Sequence, residues 1–514
     1  MPLPSLPDGT RPLWDADAPS TAYPPLRDDL SVHTAVIGGG ITGLTAALRL
    51  AEEGRRIAVL EMHQVGGGET GHTTAHLTEV VDNGYATIAA DFGRDGAALV
   101  ARSSREAIDF IERTVDALAI SCRFERVPGY LYAERADHVE RVRDEIDHAR
   151  RAGVDAVFTR DVPLPFRTLG AMRVERQAQF HPRAYLAGLA RRIAAAGGLI
   201  FEETRVEAVH DGEPCRVETL HARVTAQAVI AATNVPINRV ALITKLPAYR
   251  SYAIAARVRG DAPRGLFWDT EDPYHYTRSH ATDAGTVVII GGEDHKTGSE
   301  RDTRARYAAL ADYAAARFAV ERIEHQWSGQ IIEPVDGLPY IGLNTASSRV
   351  YVATGFAGNG LTYGTAAGLM LADLILGRDT PYASLYDARR VKPLAAARDY
   401  VAENVAYPAH LLKDRVAALD VEAEDLEAVP AGTGRIVRID GRKRAVYRDG
   451  SGTVHAYSPV CPHMGCDVAW NAAEATWDCP CHGSRFTATG QVLNGPATHP
   501  LSPVEVPQRS GVGR

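Results

Sequence analysis

The sequence predicts an α/β chain: a doubly wound domain with an interleaved α+β domain, followed by a small all-β domain. Three observations carry this reading. Over residues 32–61 a strand, a glycine-rich turn, a helix and a second strand follow one another. Over residues 82–349 amphipathic helices and strands mix without internal repeat. Beyond Pro430, Gly432 and Gly434, short β runs are separated by turns such as Asp440-Gly441 and Asp449-Gly450.

Residues 1–30, rich in Pro and Asp, read as an extended arm and lack the charged and apolar regions of a secretory signal. Thr34 to Ile37 is a short apolar β run. Ile41, Leu44, Ala47, Leu48 and Ala51 then recur at helical spacing up to Gly54, and Ile57 to Leu60 is apolar again and closes on Glu61. Further along, Tyr185–Ala196 reads as a helix stopped by Gly197-Gly198, and Leu199–Glu203 and Ala228–Ala232 read as strands. Val350–Thr354 is a buried strand followed by a glycine-rich loop and a helix through Leu376. The resulting division is an arm (1–30), a first large unit (31–381), a helical linker (382–429) and the all-β domain (430–514). The β runs of the last unit are Arg435–Ile439, Arg444–Tyr447 and Val454–Tyr457.

The composition, 45% apolar and 23% charged, is that of a chain able to bury a large core. A net charge of −8 speaks against a nucleic-acid-binding surface, which carries a basic excess. Val350 to Ala372 has no formal charge, but five glycines and several polar residues interrupt it, so no membrane span is expected. The chain reads as soluble and cytoplasmic.

Gly38, Gly40 and Gly43 form G-x-G-x-x-G between the first strand and helix. The first permits a tight turn, the second lets backbone approach a pyrophosphate, and the third lets helix and strand pack closely. The helix N-terminus offers unpaired N–H groups to the phosphates. Glu61, 23 residues after Gly38, is placed to accept hydrogen bonds from ribose hydroxyls.

Two segments favour FAD over NAD as the dinucleotide. One is the Gly- and Thr-rich loop Gly66–His76, with Thr73, Thr74 and His76. The other is Ala353–Thr362, with Gly355, Gly358, Asn359, Gly360, Leu361 and Thr362. Together with Trp327–Gln330 and Pro334–Gly342, they resemble the D-amino-acid-oxidase-like family, which includes glycine and sarcosine oxidases, over about residues 32–380. The resemblance implies that the late loop and its helix end face the flavin ring, that backbone near Val206 touches the adenine, and that hydride leaves a carbon bearing an amine. Some amine-oxidising relatives hold FAD covalently through a histidine after a similar loop. His76 stands at that place, as a covalent link or as a non-covalent contact.

Cys122 and Cys215 are isolated and read as small buried hydrophobes. Cys461, Cys466, Cys479 and Cys481 crowd into 21 residues. Cys461-Pro-His463 and Cys479-Pro-Cys-His482 give C-x-H, fifteen residues, then C-x-x-H. Two thiols and two imidazoles could hold zinc, but C-x-H is unusual for a zinc finger, and a Rieske 2Fe–2S cluster uses two thiolates on one iron and two imidazoles on the other. The two loops resemble those of the Rieske proteins of cytochrome bc complexes. That resemblance implies a disulfide between Cys466 and Cys481, and a hydroxyl at Ser484 that donates to a cluster sulfide. Phe486 stands where a Tyr is usual, which removes one tuning hydrogen bond and places the potential below the family's upper values, within about −150 to +300 mV.

A two-electron flavin and a one-electron cluster in one chain imply an enzyme that oxidises a small amine or amino acid and passes electrons singly to an external acceptor. Arg278, Lys296 and Tyr276 lie where the substrate domain is expected, and an Arg there would suit a carboxylate. Three other readings compete. An NAD(P)H-dependent reductase would need a second glycine fingerprint, for which Gly291-Gly292 lacks the spacing. A Rieske oxygenase would need a two-His, one-carboxylate iron site, which is not evident. A non-catalytic redox sensor would not need an intact flavin fold.

Overall fold

The computed structural model describes residues 5–7, 9–237, 240–391, 429–439 and 441–505. Val350–Thr354, Arg223–Ala231, Leu30–Ile37, Ile57–Leu60 and Leu199–Phe201 lie side by side and parallel, in that order. Tyr340–Leu343 adds an antiparallel edge, and the hairpin Val206–His210/Cys215–Thr219 hangs from Arg223–Ala231. Ile57–Leu60 is buried at every position, as expected of a strand covered on both faces. The first strand begins at Leu30, four residues before the apolar run that signals it.

The helix Ile41–Glu52 packs along the late helix Gly360–Ile375. A Cβ on Gly364 would lie 2.7 Å from Ile41, and one on Gly368 would lie 2.7 Å from Thr42 and Thr45. The bare backbone at these two positions lets the helices touch, so the N-termini of both helices, and the glycine-rich loops that lead into them, arrive at the same place.

The interleaved domain is a nine-stranded sheet whose centre runs Val320–Ile332, Ala248–Val258, Gly285–Lys296, His275–Thr282, Leu266–Asp269, Glu125–Ala133, Gly170–Gln179. All of these neighbours pair antiparallel except Leu266–Asp269 with Glu125–Ala133. Gly291 sits in mid-strand opposite Tyr276, where a Cβ would fall 2.3 Å from the tyrosine ring. Gly291-Gly292 thus makes room for an aromatic ring and does not open a second dinucleotide helix.

The described part of the arm, with a short 3-10 turn at Leu13–Asp15, is docked. Trp14 is fully buried and donates its indole N–H to the Thr73 carbonyl at 2.6 Å, and Arg11 N–H donates to Gln326 O at 2.8 Å. The linker expected over 382–429 begins with the helix Ala383–Tyr386, whose Tyr386 is buried against the first unit. Residues 392–428 lie outside the described residues.

The all-β domain pairs Thr433–Ile439, Arg442–Arg448 and Val454–Tyr457 in one sheet. Ala469–Asn471, Thr476–Asp478, Arg485–Thr487 and Val492–Asn494 form another. Trp477 and Phe486, opposite one another in register, are both fully buried at its core. Among the described residues, no helix is long and apolar enough to cross a membrane.

Candidate functional site

A long cleft opens where the two glycine-rich loops meet, lined by Gly38, Gly40 and Ile41 at one helix end and by Gly358, Asn359, Gly360 and Leu361 at the other. Gly38 has φ +106°, and a Cβ on Gly43 would lie 2.0 Å from the Gly38 carbonyl oxygen, so this turn closes only without side chains. The helix that follows takes no side-chain cap from Gly40; its first N–H, on Ile41, donates to Thr70 Oγ1 at 3.2 Å, and Ile41 and Thr42 line the cleft at the helix end that suits a phosphate. Glu61 also lines the cleft and accepts from the N–H groups of Gly39 (2.6 Å) and His63 (2.9 Å). Burial pushes its carboxyl above the usual range while these donors pull it down. Val206 and Arg205 line the cleft at the start of the hairpin strand. The glycine cradle, the helix end and the acid fit an FAD.

Thr73, Thr74 and His76 line the same cleft. His76 Nδ1 is 3.1 Å from Thr74 Oγ1, and its Nε2 is buried without a hydrogen-bond partner. Burial, then the charge of Arg278, push its pKa down to about 3, so the ring is neutral. Gly355 and Thr362 do not line the cleft. Gly355, at φ +76°, turns the chain out of Val350–Thr354 against Pro334. Thr362 Oγ1 accepts from Thr78 N–H (3.2 Å) and donates to Thr78 O (3.1 Å), stitching the late helix to the segment after His76.

Of the three substrate-domain candidates, only Tyr276 reaches the cleft. Its hydroxyl lies 2.8 Å from Ser251 Oγ, and its ring meets His76 edge-on at 5.6 Å. Arg278 does not reach the cleft. Two residues further along the strand it runs beneath the Thr-rich loop, fully buried, donating to Ala75 O at 2.7 Å and to His280 Nδ1 at 3.0 Å, with the Trp14 ring 5.5 Å away. Burial lowers its pKa to about 9. It props the loop and is closed to substrate. Lys296 lies outside the cleft too, near enough to His482 to lower that imidazole's pKa. Trp268, Tyr274, Asp82 and Gln330 also line the cleft, with Asp294 behind Tyr274; Trp268 and Asp82 carry no signal in the sequence, while Tyr274, Asp294 and Gln330 lie in segments that the sequence marks without giving these residues a site role.

At one end of the all-β domain, two loops carry the Cys and His set with matching backbone closures. Cys461 N–H donates to Cys466 O (2.8 Å) and Gly465 N–H to Cys461 O (3.0 Å). Cys479 N–H donates to Ser484 O (2.8 Å) and Gly483 N–H to Cys479 O (3.1 Å). Cys461 and Cys479 are buried and hydrogen-bonded to each other, which holds Cys461 down to about 7 and pushes Cys479 up. His463 and His482 face each other edge-on at 5.0 Å. Burial lowers the pKa of both, His482 to about 4, so both imidazoles are neutral, the form that ligates iron. Two paired thiols beside two neutral imidazoles fit a Rieske 2Fe–2S cluster. Cys466 and Cys481 are joined by a disulfide that clasps the loops, and Ser484 hydrogen-bonds Cys461.

The cluster loops are held against the cleft. Gln330, on the cleft wall, donates its amide N–H to Gly483 O at 2.7 Å, beside His482. Val492–Gly495, Ala497 and Thr498 of the all-β domain form part of the cleft lining. Asn494 donates to Glu69 at 2.7 Å, and Glu69 accepts from Gln330 N–H. Arg250 and Arg485 converge on Glu474 from the two domains. Burial alone would raise that carboxyl, yet the two guanidinium groups hold it at about 2.

A family model described as FAD dependent oxidoreductase matches residues 33–374, and one described as Rieske [2Fe-2S] domain matches residues 420–507. The chain is 32% identical over 498 residues to the Rieske 2Fe-2S iron-sulfur protein YhfW of Bacillus subtilis, covering 96% of this chain and 97% of that one. It is 24% identical over 369 residues to the gamma-glutamylputrescine oxidoreductase of Escherichia coli, covering 68% and 85%. The structure of glycine oxidase from Geobacillus kaustophilus superposes with a TM-score of 0.59 at 19% identity, over 70% of this chain and all of that one, a likeness of fold.

Proposed function

The chain belongs to the FAD-dependent oxidoreductase family and carries a C-terminal Rieske [2Fe-2S] domain, and on that premise we propose that it dehydrogenates an amine or amino acid and delivers the electrons singly to an external acceptor. FAD supplies the acceptor for a hydride leaving carbon, and the cluster supplies a one-electron carrier. Gly38, Gly40, Gly43 and Glu61 hold the dinucleotide, and the loop Gly358–Leu361 closes over the other side of the cleft. Cys461, His463, Cys479 and His482 hold the cluster.

The observation that carries the reading is Gln330, which belongs at once to the cleft wall and, at 2.7 Å, to the backbone carbonyl next to the ligand His482. A cluster fixed there serves an internal electron route, which an enzyme handing electrons straight to oxygen does not need. The names of the relatives bracket the substrate: one is a gamma-glutamylputrescine oxidoreductase and another a glycine oxidase. The test is an anaerobic screen of amines and amino acids, read by flavin and cluster absorbance together. At least one should bleach both chromophores. Bleaching by NADH alone, with every amine and amino acid inert, would overturn the reading.

A further inference from the structure

The part of the cleft around His76 has a composition that separates two substrate classes. Trp268, Tyr274 and Tyr276 form an aromatic wall, with His76 5.5 Å from Trp268 and Tyr274 5.9 Å from Tyr276, ring centre to ring centre. Asp82 lines the same cleft, anchored by the Gly358 N–H. Behind the wall Asp294 accepts from the Tyr274 hydroxyl at 3.0 Å, and its other oxygen is buried without a hydrogen-bond partner. Burial raises the pKa of Asp82, and the charge of Asp294 adds to that, which places Asp294 within electrostatic reach of Asp82.

Aromatic faces carry negative charge density and attract cations, and carboxylates add to that field. A substrate carboxylate needs the opposite, a cationic fork. Among the described residues, Arg205 is the only Lys or Arg lining the cleft, and it lies with Val206 rather than with the aromatic wall. Arg278, the guanidinium nearest in sequence to the wall, is committed to Ala75 O and His280 beneath the loop.

We propose that this end of the cleft selects an organic ammonium group carrying no neighbouring carboxylate, so that the substrate is an alkyl amine or polyamine and not a free α-amino acid. The proposal rests on the amine-or-amino-acid reading above and narrows it. Asp82 meets the cationic nitrogen in the cleft, Asp294 adds its negative charge from behind Tyr274, and Trp268, Tyr274 and Tyr276 enclose the apolar substituents.

The holoenzyme tests this with two probes of similar size that resist oxidation, benzyltrimethylammonium and benzoate, titrated against the flavin absorption spectrum and by calorimetry. The cation should bind at least about tenfold tighter than benzoate, the ratio that corresponds to 1.4 kcal/mol. Asp82→Asn and, separately, Asp294→Asn should each weaken the cation by about tenfold and leave benzoate unchanged, with the flavin spectrum of each variant reporting an intact fold. Tighter binding of benzoate, or binding of neither probe, overturns the proposal. An α-amino acid that bleaches the flavin while simple amines do not would also overturn it and leave the broader reading standing. That broader reading fails only when amines and amino acids are both inert.

Discussion

Arg250 of the flavin-binding unit and Glu474 of the cluster domain form an ion pair at 2.9 Å in which the side chains are only 2% and 8% exposed. Arg485 and Ser328 complete the shell around the carboxylate. Removing one member of a buried pair strands the others without solvent, which costs about 3–5 kcal/mol. Glu474→Ala leaves two guanidinium groups in that position, so its urea midpoint should fall by a corresponding amount. Glu474→Gln, which keeps the shape and hydrogen-bonding capacity, should fall less. Equal midpoints for the parent and Glu474→Ala would show that the pair does not hold the domains together.

The two cluster loops supply a matched pair of glycines. Gly465 and Gly483 both sit at positive φ, +82° and +77°, four residues after a ligand cysteine. A Cβ on Gly465 meets nothing within 4 Å, whereas one on Gly483 would lie 2.3 Å from Ala248 and from the Gln330 amide. Gly465→Ala and Gly483→Ala therefore share a backbone cost of roughly 1–2 kcal/mol, but only the second pushes the cluster loop off the cleft wall. In stopped-flow measurements the interval between flavin and cluster bleaching should lengthen at least about tenfold in Gly483→Ala relative to Gly465→Ala. Identical intervals would separate the contact from electron transfer.

Binding of a cation at the aromatic wall should depend on pH with a definite sign. Burial raises both Asp82 and Asp294 to about 6. The groups facing them are the Gly358 N–H, Ser251, Tyr274, Glu293 and His275, with Tyr276 and the neutral His76 nearby. Above about 6 the carboxylates are anionic and attract the probe; below it they are protonated and do not. The affinity for benzyltrimethylammonium, whose own charge is fixed, should be flat above pH 7 and fall toward pH 5, approaching roughly tenfold per unit for each proton taken up. An affinity that rises on acidification would contradict the assignment.

The Cys466–Cys481 disulfide spans 15 residues of chain and ties the two cluster loops together. In the chain-entropy account a loop of that length stabilises by about 3 kcal/mol. Replacing both cysteines with serine should lower the temperature at which the visible cluster absorbance is lost and leave FAD content unchanged. Loss of FAD with the cluster would place the disulfide's role elsewhere.

What was legible in the sequence is what the chain keeps local. Gly38, Gly40, Gly43 and Glu61 lie within one βαβ unit, and the four cluster ligands lie within 22 residues, so spacing alone displays their chemistry. What escaped is made by pairs distant in the chain. Gln330 and Gly483 are 153 residues apart and Arg250 and Glu474 are 224 apart, and nothing in either segment announces its partner. The cation-selective wall is likewise assembled from Asp82, Trp268 and the Tyr274–Tyr276 strand. Arg278 shows the converse: its residue type suited a substrate clamp, but the strand carries it beneath the Thr73–His76 loop, where the Ala75 carbonyl takes it. The N-terminal arm carried no periodic signal, yet Trp14 anchors it against that same loop.

On the proposed route, electrons pass within one molecule from the cleft to the docked cluster. The deciding measurement reduces the holoenzyme anaerobically with an amine that bleaches the flavin and follows the cluster signal over about a hundredfold range of protein concentration. The cluster should be reduced at a first-order rate that does not change on dilution. A cluster that stays oxidised beside a reduced flavin, or one whose reduction slows in proportion to dilution, would contradict it.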